Sequence, residues 1–123
     1  LVSLEIAQQL KEIGFKEKCL CYWHEYFHRI ECSTDDEERL CPEYYDYNTD
    51  ESTTSLPTWE QIFEWFREKG LYSFIRVNIP DLSVSYFIYD KDGYIEENGH
   101  RSTYEDAKND CVKELIKIYK EHE

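Results

Sequence analysis

Two stretches, LKEIGF (10–15) and FREKGL (66–71), carry one pattern: apolar, basic, Glu, any residue, Gly, apolar. The pattern reads as a helix stop. Gly just past a helix accepts the left-handed backbone that closes the last turn, and the apolar residue after it folds back onto the helix. Each stop ends a capped helix and precedes strand-like residues. We read the pair as one stopping chemistry used twice; a duplicated helix–β–β unit is the alternative.

What precedes each stop has the matching start. Ser3 can cap a first helix in which Leu4, Ala7 and Leu10, with Ile6, Leu10 and Ile13, fall at helical spacing. Thr58 with Gln61 forms a capping box for a second, whose apolar face is Trp59, Ile62, Phe63 and Phe66, with Trp65 on the flank. Ser102 with Glu105 suggests a third, lined inside by Tyr104, Ala107, Cys111, Leu115 and Ile118. Between the last two helices lie three strand-like runs, YSFIRVNI (72–79), SVSYFIYD (83–90) and YIEENGH (94–100), with DKDG (90–93) as a hairpin turn. Alternation places Ile75, Val77 and Ile79 toward the helices, with Trp59, Phe63, Phe66, Cys111 and Leu115.

The N-terminal half is less regular. CLCYWHEYFHRIEC (19–32) is aromatic and β-branched enough for a bent strand or a hairpin arm. STDDEERL (33–40) reads as a charged turn, CPEYYDYN (41–48) as a short edge strand, and 49–57 as a polar linker. The expected fold is therefore α+β: an antiparallel sheet with helices mainly on one face, in the order helix, strand(s), helix, strand, strand, strand, helix. One small domain is expected over 1–123, built from 1–48, a linker at 49–57, and 58–123.

Charge narrows the function classes. The net charge is −13, which repels phosphate backbones and anionic lipid heads. Nucleic acid and membrane are therefore not expected partners; basic proteins and cations fit the charge, and so does a surface that serves solubility alone. No apolar run approaches the roughly 18 residues that span a bilayer, and LVSLEIAQQL lacks the layout of a signal peptide. The chain contains no Met, which suggests a processed or truncated start at Leu1. Its five cysteines are odd in number and not spaced as a disulfide framework, so a reducing cytoplasm is the expected setting.

From Thr58 onward the predicted order, with AKNDCVKEL (107–115) as its closest echo, resembles a double-stranded-RNA-binding domain over just over half the chain. That family opens its last helix with clustered lysines that straddle phosphates. Here the matching turn holds Glu105 and Asp106, which suit the helix dipole instead. The resemblance thus implies the topology without the RNA chemistry.

Cys19, Cys21, His24 and His28 form the one constellation that suggests a metal or thiol site. In a strand, odd-numbered cysteines and even-numbered histidines face opposite ways, and only His24-x₃-His28 has the spacing of a structural zinc site. Core cysteines beside surface histidines are the expected arrangement, with no cofactor and no catalytic residue. DKDG lacks the later ligands of a calcium loop. The interaction candidate is the acidic field from Glu31 to Glu64, above all Asp35, Asp36, Glu37 and Glu38, with Tyr44, Tyr45 and Tyr47 interleaved. Such a field can dock a basic protein or simply face water.

PTWEQIFEWFREKG (57–70) and STYEDAKNDCVKELIKIY (102–119), with the helix LEIAQQLKEIGF (4–15), resemble a group of small uncharacterised phage and prophage proteins of Bacteroides-type gut bacteria. The shared positions are caps and core residues, and 19–32 lies outside them. The resemblance implies phage ancestry and a bacterial host, and carries no activity. The expected function is a non-enzymatic, acidic interaction protein that binds a host or phage protein. A metal- or thiol-dependent site at 19–32 is the alternative.

Overall fold

The structure, a computed structural model, describes residues 2–32, 46–49, 51–101 and 103–122. Its elements are α1 (Leu4–Glu12), β1 (Cys21–His24), β2 (Arg29–Cys32), a 3-10 turn (Tyr47–Thr49), β3 (Thr53–Leu56), α2 (Trp59–Glu68), β4 (Tyr72–Val77), β5 (Val84–Asp90), β6 (Gly93–Arg101) and α3 (Tyr104–Glu121). The α+β class and the order of elements are those expected. Where the sequence suggested a single sheet, the described strands form two, ordered β2-β1-β3 and β4-β5-β6, with every pairing antiparallel. The chain divides into two compact units, Leu1–Ile62 and Phe63–Glu123, with the boundary inside α2.

In the first unit, Ser3 Oγ accepts a hydrogen bond from Ile6 N at 3.3 Å and starts α1. Gly14 adopts φ +94° at its end. Phe15 N then donates back to Leu10 O at 3.0 Å, and the Phe15 side chain is fully buried. Ile6, Ala7 and Leu10 fill the buried face of α1, which packs against β3. Burying a ring such as Phe15 contributes about 2–3 kcal/mol. The stop therefore anchors the helix as well as ending it.

The stretch 49–57 is not the linker expected. Thr53–Leu56 is a strand that pairs with β1, with Thr54, Ser55 and Leu56 buried. Short polar β-branched residues read as loop in isolation and serve as strand once their backbone is paired and their hydroxyls have partners. The partners here are local. Asn48 Nδ2 donates to Phe15 O at 2.9 Å, and its Oδ1 accepts from Ser55 N at 2.9 Å. Ser55 Oγ accepts from Tyr47 N at 3.0 Å, and Thr53 Oγ1 donates to Tyr47 O at 2.6 Å. Tyr47 and Asn48 thus belong to a 3-10 turn and not to the short strand expected at 41–48; residues 41–45 of that stretch lie outside the described residues.

In the second unit, the C-terminal half of α2 meets α3 through aromatic rings, with Trp65 and Tyr119 centroids 5.2 Å apart. The α2 stop repeats that of α1: Gly70 has φ +85° and Leu71 N donates to Phe66 O at 2.9 Å. The N-cap of α3 is Thr103, whose Oγ1 accepts from Asp106 N at 3.1 Å; the capping residue expected from the sequence, Ser102, lies outside the described residues. Helix α3 packs across all three strands of the sheet, burying Ala107, Cys111, Val112, Leu115, Ile116 and Ile118. The central strand β5 is buried from Val84 to Ile88.

The inner face of β4 is shorter than the alternation suggested. Ser73 and Ile75 keep the expected parity, and Ser73 hydrogen-bonds the buried Cys111 thiol. Val77 and Ile79, however, are 46% and 78% exposed. The strand ends at Val77 because Asn78 turns the chain: its N donates to Ser83 O at 2.7 Å, and its Nδ2 donates to Ser85 Oγ at 2.8 Å. Among the proposed helix partners, Phe66, Cys111 and Leu115 are buried, while Trp59 and Phe63 are half-buried. Trp65, expected on the flank, is buried.

Candidate functional site

The segment 19–32 folds as a hairpin, with β1 and β2 joined by a turn at 25–28 in which His28 has φ +47°. Cys21 and Cys32 pair directly across it and are joined by a disulfide. This corrects the expectation that the cysteine spacing holds no bridge. Antiparallel pairing brings residues 11 apart in sequence to a Cα separation of 4.1 Å, a proximity that spacing alone does not reveal.

The four residues of the metal alternative are dispersed by the same pairing. Cys21 is spent in the disulfide. Cys19 is buried, and desolvation pushes its thiol up to about 11, so it is a poor thiolate. His24 lies on the face of β1 opposite Cys21, where its Nδ1 accepts from Tyr26 N at 3.2 Å. His28 sits in the turn, its ring 6.0 Å from Trp23. Among the described residues no three His, Cys, Asp or Glu side chains gather as a metal site would require. Cys111 is likewise buried, its thiol pushed up to about 12 by desolvation.

The hairpin arranges an exposed polar–aromatic surface. The Tyr22 and Tyr47 rings stack at 4.0 Å, and Tyr22 OH donates to Glu31 Oε2 at 2.5 Å. Glu31 also pairs with Arg29 Nε at 2.7 Å. The hydrogen bond to Glu31 pushes the Tyr22 phenol up to about 12, and those from Tyr22 and Arg29 hold the Glu31 carboxyl below its ordinary range. Beyond them Tyr26 is 83% exposed, and Phe27 lies open beneath the Arg29 guanidinium at 5.0 Å. Of the proposed interaction residues, Tyr47 is thus seated against Tyr22. Asp35, Asp36, Glu37, Glu38, Tyr44 and Tyr45 lie outside the described residues.

A second aromatic surface covers the sheet of the second unit, on the face opposite α3. The register places Tyr72 beside Tyr89 and Phe74 beside Phe87, and those rings stack at 5.8 and 4.6 Å. Arg76 lies over Phe87 at 4.8 Å. Across the other edge Tyr94 pairs with Tyr89, their rings 6.4 Å apart and turned by 71°. Phe74, Tyr89, Gly93 and Tyr94 line an open hollow of about 310 Å³. The signal for this face was present in the strand 83–90, which carries large residues on both sides. One side was needed for the core, and the other was left for something else.

No family model, curated protein or solved structure matches the chain. No described helix is long and apolar enough to cross a membrane.

Proposed function

We propose that this is a non-enzymatic interaction protein that binds a basic partner protein through acidic and aromatic surface. The observation that carries the reading is the amount of ordered aromatic surface left open on an acidic chain. The hairpin tip and the outer face of the second sheet both present rings beside carboxylates or cations. Exposed aromatics of this kind are enriched at protein interfaces, where a ring contributes large area at low entropic cost. The net charge of −13 favours a basic partner and disfavours nucleic acid.

The thiol- or metal-dependent alternative is set aside, because the described free cysteines, Cys19 and Cys111, are buried with raised pKa values and Cys21 is bonded. The phage ancestry implied by the resemblance makes a host or phage protein the natural partner. The Cys21–Cys32 bond favours an oxidising compartment over the cytoplasm expected from the cysteine count.

The test is an association measurement across ionic strength with a basic host protein. Binding at low salt should be largely lost at high salt. Reversing Asp35, Asp36, Glu37 and Glu38 to Lys should slow association much more than it speeds dissociation, because peripheral charges act mainly by steering. A partner indifferent to both salt and the four reversals sinks the reading.

A further inference from the structure

We propose that the hollow between Phe74, Tyr89 and Tyr94 seats an ammonium-bearing side chain, a lysine or its methylated form, of a partner protein. This deepens the reading above and rests on it, naming the group through which a basic partner is held.

The strand order builds three walls. Tyr89 stands on the central strand β5. Phe74 comes from β4 on one side, its ring 6.2 Å from Tyr89 and turned by 68°. Tyr94 comes from β6 on the other, 6.4 Å away and turned by 71°. Rings at steep angles around one hollow can direct π density toward a single point. A cation within about 6 Å of such faces is attracted to the ring quadrupole, and cages of this form suit alkylammonium groups. The remaining lining is Gly93, which adds no side chain to the space.

Asp90 Oδ1 accepts from Asp92 N at 2.8 Å and from Gly93 N at 3.1 Å, which fixes the turn that carries Gly93 and Tyr94. The same face already carries one cation on a ring: Arg76 lies 4.8 Å over Phe87, and Phe87 stacks on Phe74. The net charge of −13 raises the local concentration of cations and opposes a base that arrives with its phosphate. The hollow is open and about 310 Å³, room for a head group whose stem leads outward. Tyr94, 73% exposed, leaves that route open.

The probes are tetramethylammonium and N-acetyl-lysine methylamide, titrated into the isotope-labelled full chain and followed by NMR. Saturable shifts should centre on the amides of Phe74, Tyr89, Gly93 and Tyr94. The uncharged isostere 3,3-dimethylbutanol should bind at least tenfold more weakly. Tyr94→Leu, at an exposed position, should weaken the cations about tenfold. Equal binding of the neutral isostere overturns the proposal in favour of a merely apolar hollow. Shifts at the same residues from maltose, with none from the cations, overturn it in favour of a carbohydrate platform. If no cation binds while a basic partner still associates in a salt-dependent way, the cage is wrong and the interaction reading stands. If the cations bind and no basic partner does, the cage stands and that reading falls.

Discussion

Breaking the Cys21–Cys32 bond should loosen the first sheet by an amount that loop entropy sets. The bond closes a chain segment with a sequence separation of 11. For a loop of that length the unfolded state loses about 9 cal/mol/K, or about 2.8 kcal/mol near room temperature. The two cysteines already face each other across β1 and β2, so reduction removes the constraint from the unfolded chain while leaving the ladder pairs in place. A loss of that size matters in a small unit, since whole domains have only about 5–15 kcal/mol of net stability. Amide exchange reads it directly. Backbone amides of Cys21–His24 and Thr53–Leu56 that exchange through opening of the sheet should do so roughly 100-fold faster in the reduced chain, and in Cys21→Ala/Cys32→Ala, than in the oxidised one. A non-reducing digest should yield the two cysteine peptides linked. Acceleration below about threefold, or unlinked peptides from protein never exposed to reductant, would refute the reasoning.

Three other outcomes follow from the second unit and the buried thiols. Phe74→Ala should cost about 2 kcal/mol and Val77→Ala about 0.5 kcal/mol in denaturant unfolding. The reason is that Phe74, though 43% exposed, stacks on Phe87, while Val77 lies past the covered part of the sheet; the opposite ranking would restore Val77 to the core. Thr103→Ala should cost about 1 kcal/mol by leaving Asp106 N without its acceptor, measured as a lower urea midpoint, and Thr103→Ser should restore it. The Cys19 and Cys111 thiols are raised from 9.0 to about 11 and about 12, so the folded state holds those protons more tightly than the unfolded chain. Their stabilisation is complete below pH 9 and is lost as pH rises through 11 to 12, with Tyr22 adding to the loss above pH 10. Melting temperature should therefore hold through neutral pH and fall above pH 9, less steeply in Cys111→Ala than in the parent chain; equal slopes would remove the thiol from that account.

The elements legible in the residues were those whose signals are local. Helix stops at Gly14 and Gly70 and the caps at Ser3 and at Thr58 with Gln61 all rest on interactions within a few positions of chain. Each formed as those neighbours dictate. Local chemistry also placed the unsuitable carboxylates Glu105 and Asp106 at the start of α3.

Pairing across distance was decided by the tertiary structure. Nothing in TTSL marks it as a strand until β1 supplies hydrogen bonds and Asn48 and Tyr47 supply partners for its polar groups. Cys21 and Cys32 become neighbours only when a turn at 25–28 sets the register, because the loop between them could close in many ways that keep the sulfurs apart. The same holds for the aromatic hollow. Alternation could say that Phe74, Tyr89 and Tyr94 share one side of a sheet, but three rings from three strands meet around one space only through strand order and pairing register. The duplicated helix stop shows the division most directly. LKEIGF and FREKGL end their helices in the same way, yet the strands that follow assemble as β2-β1-β3 in one unit and β4-β5-β6 in the other. A helix end is governed by the residues within one turn of it, whereas the order of strands depends on which apolar faces must be buried together.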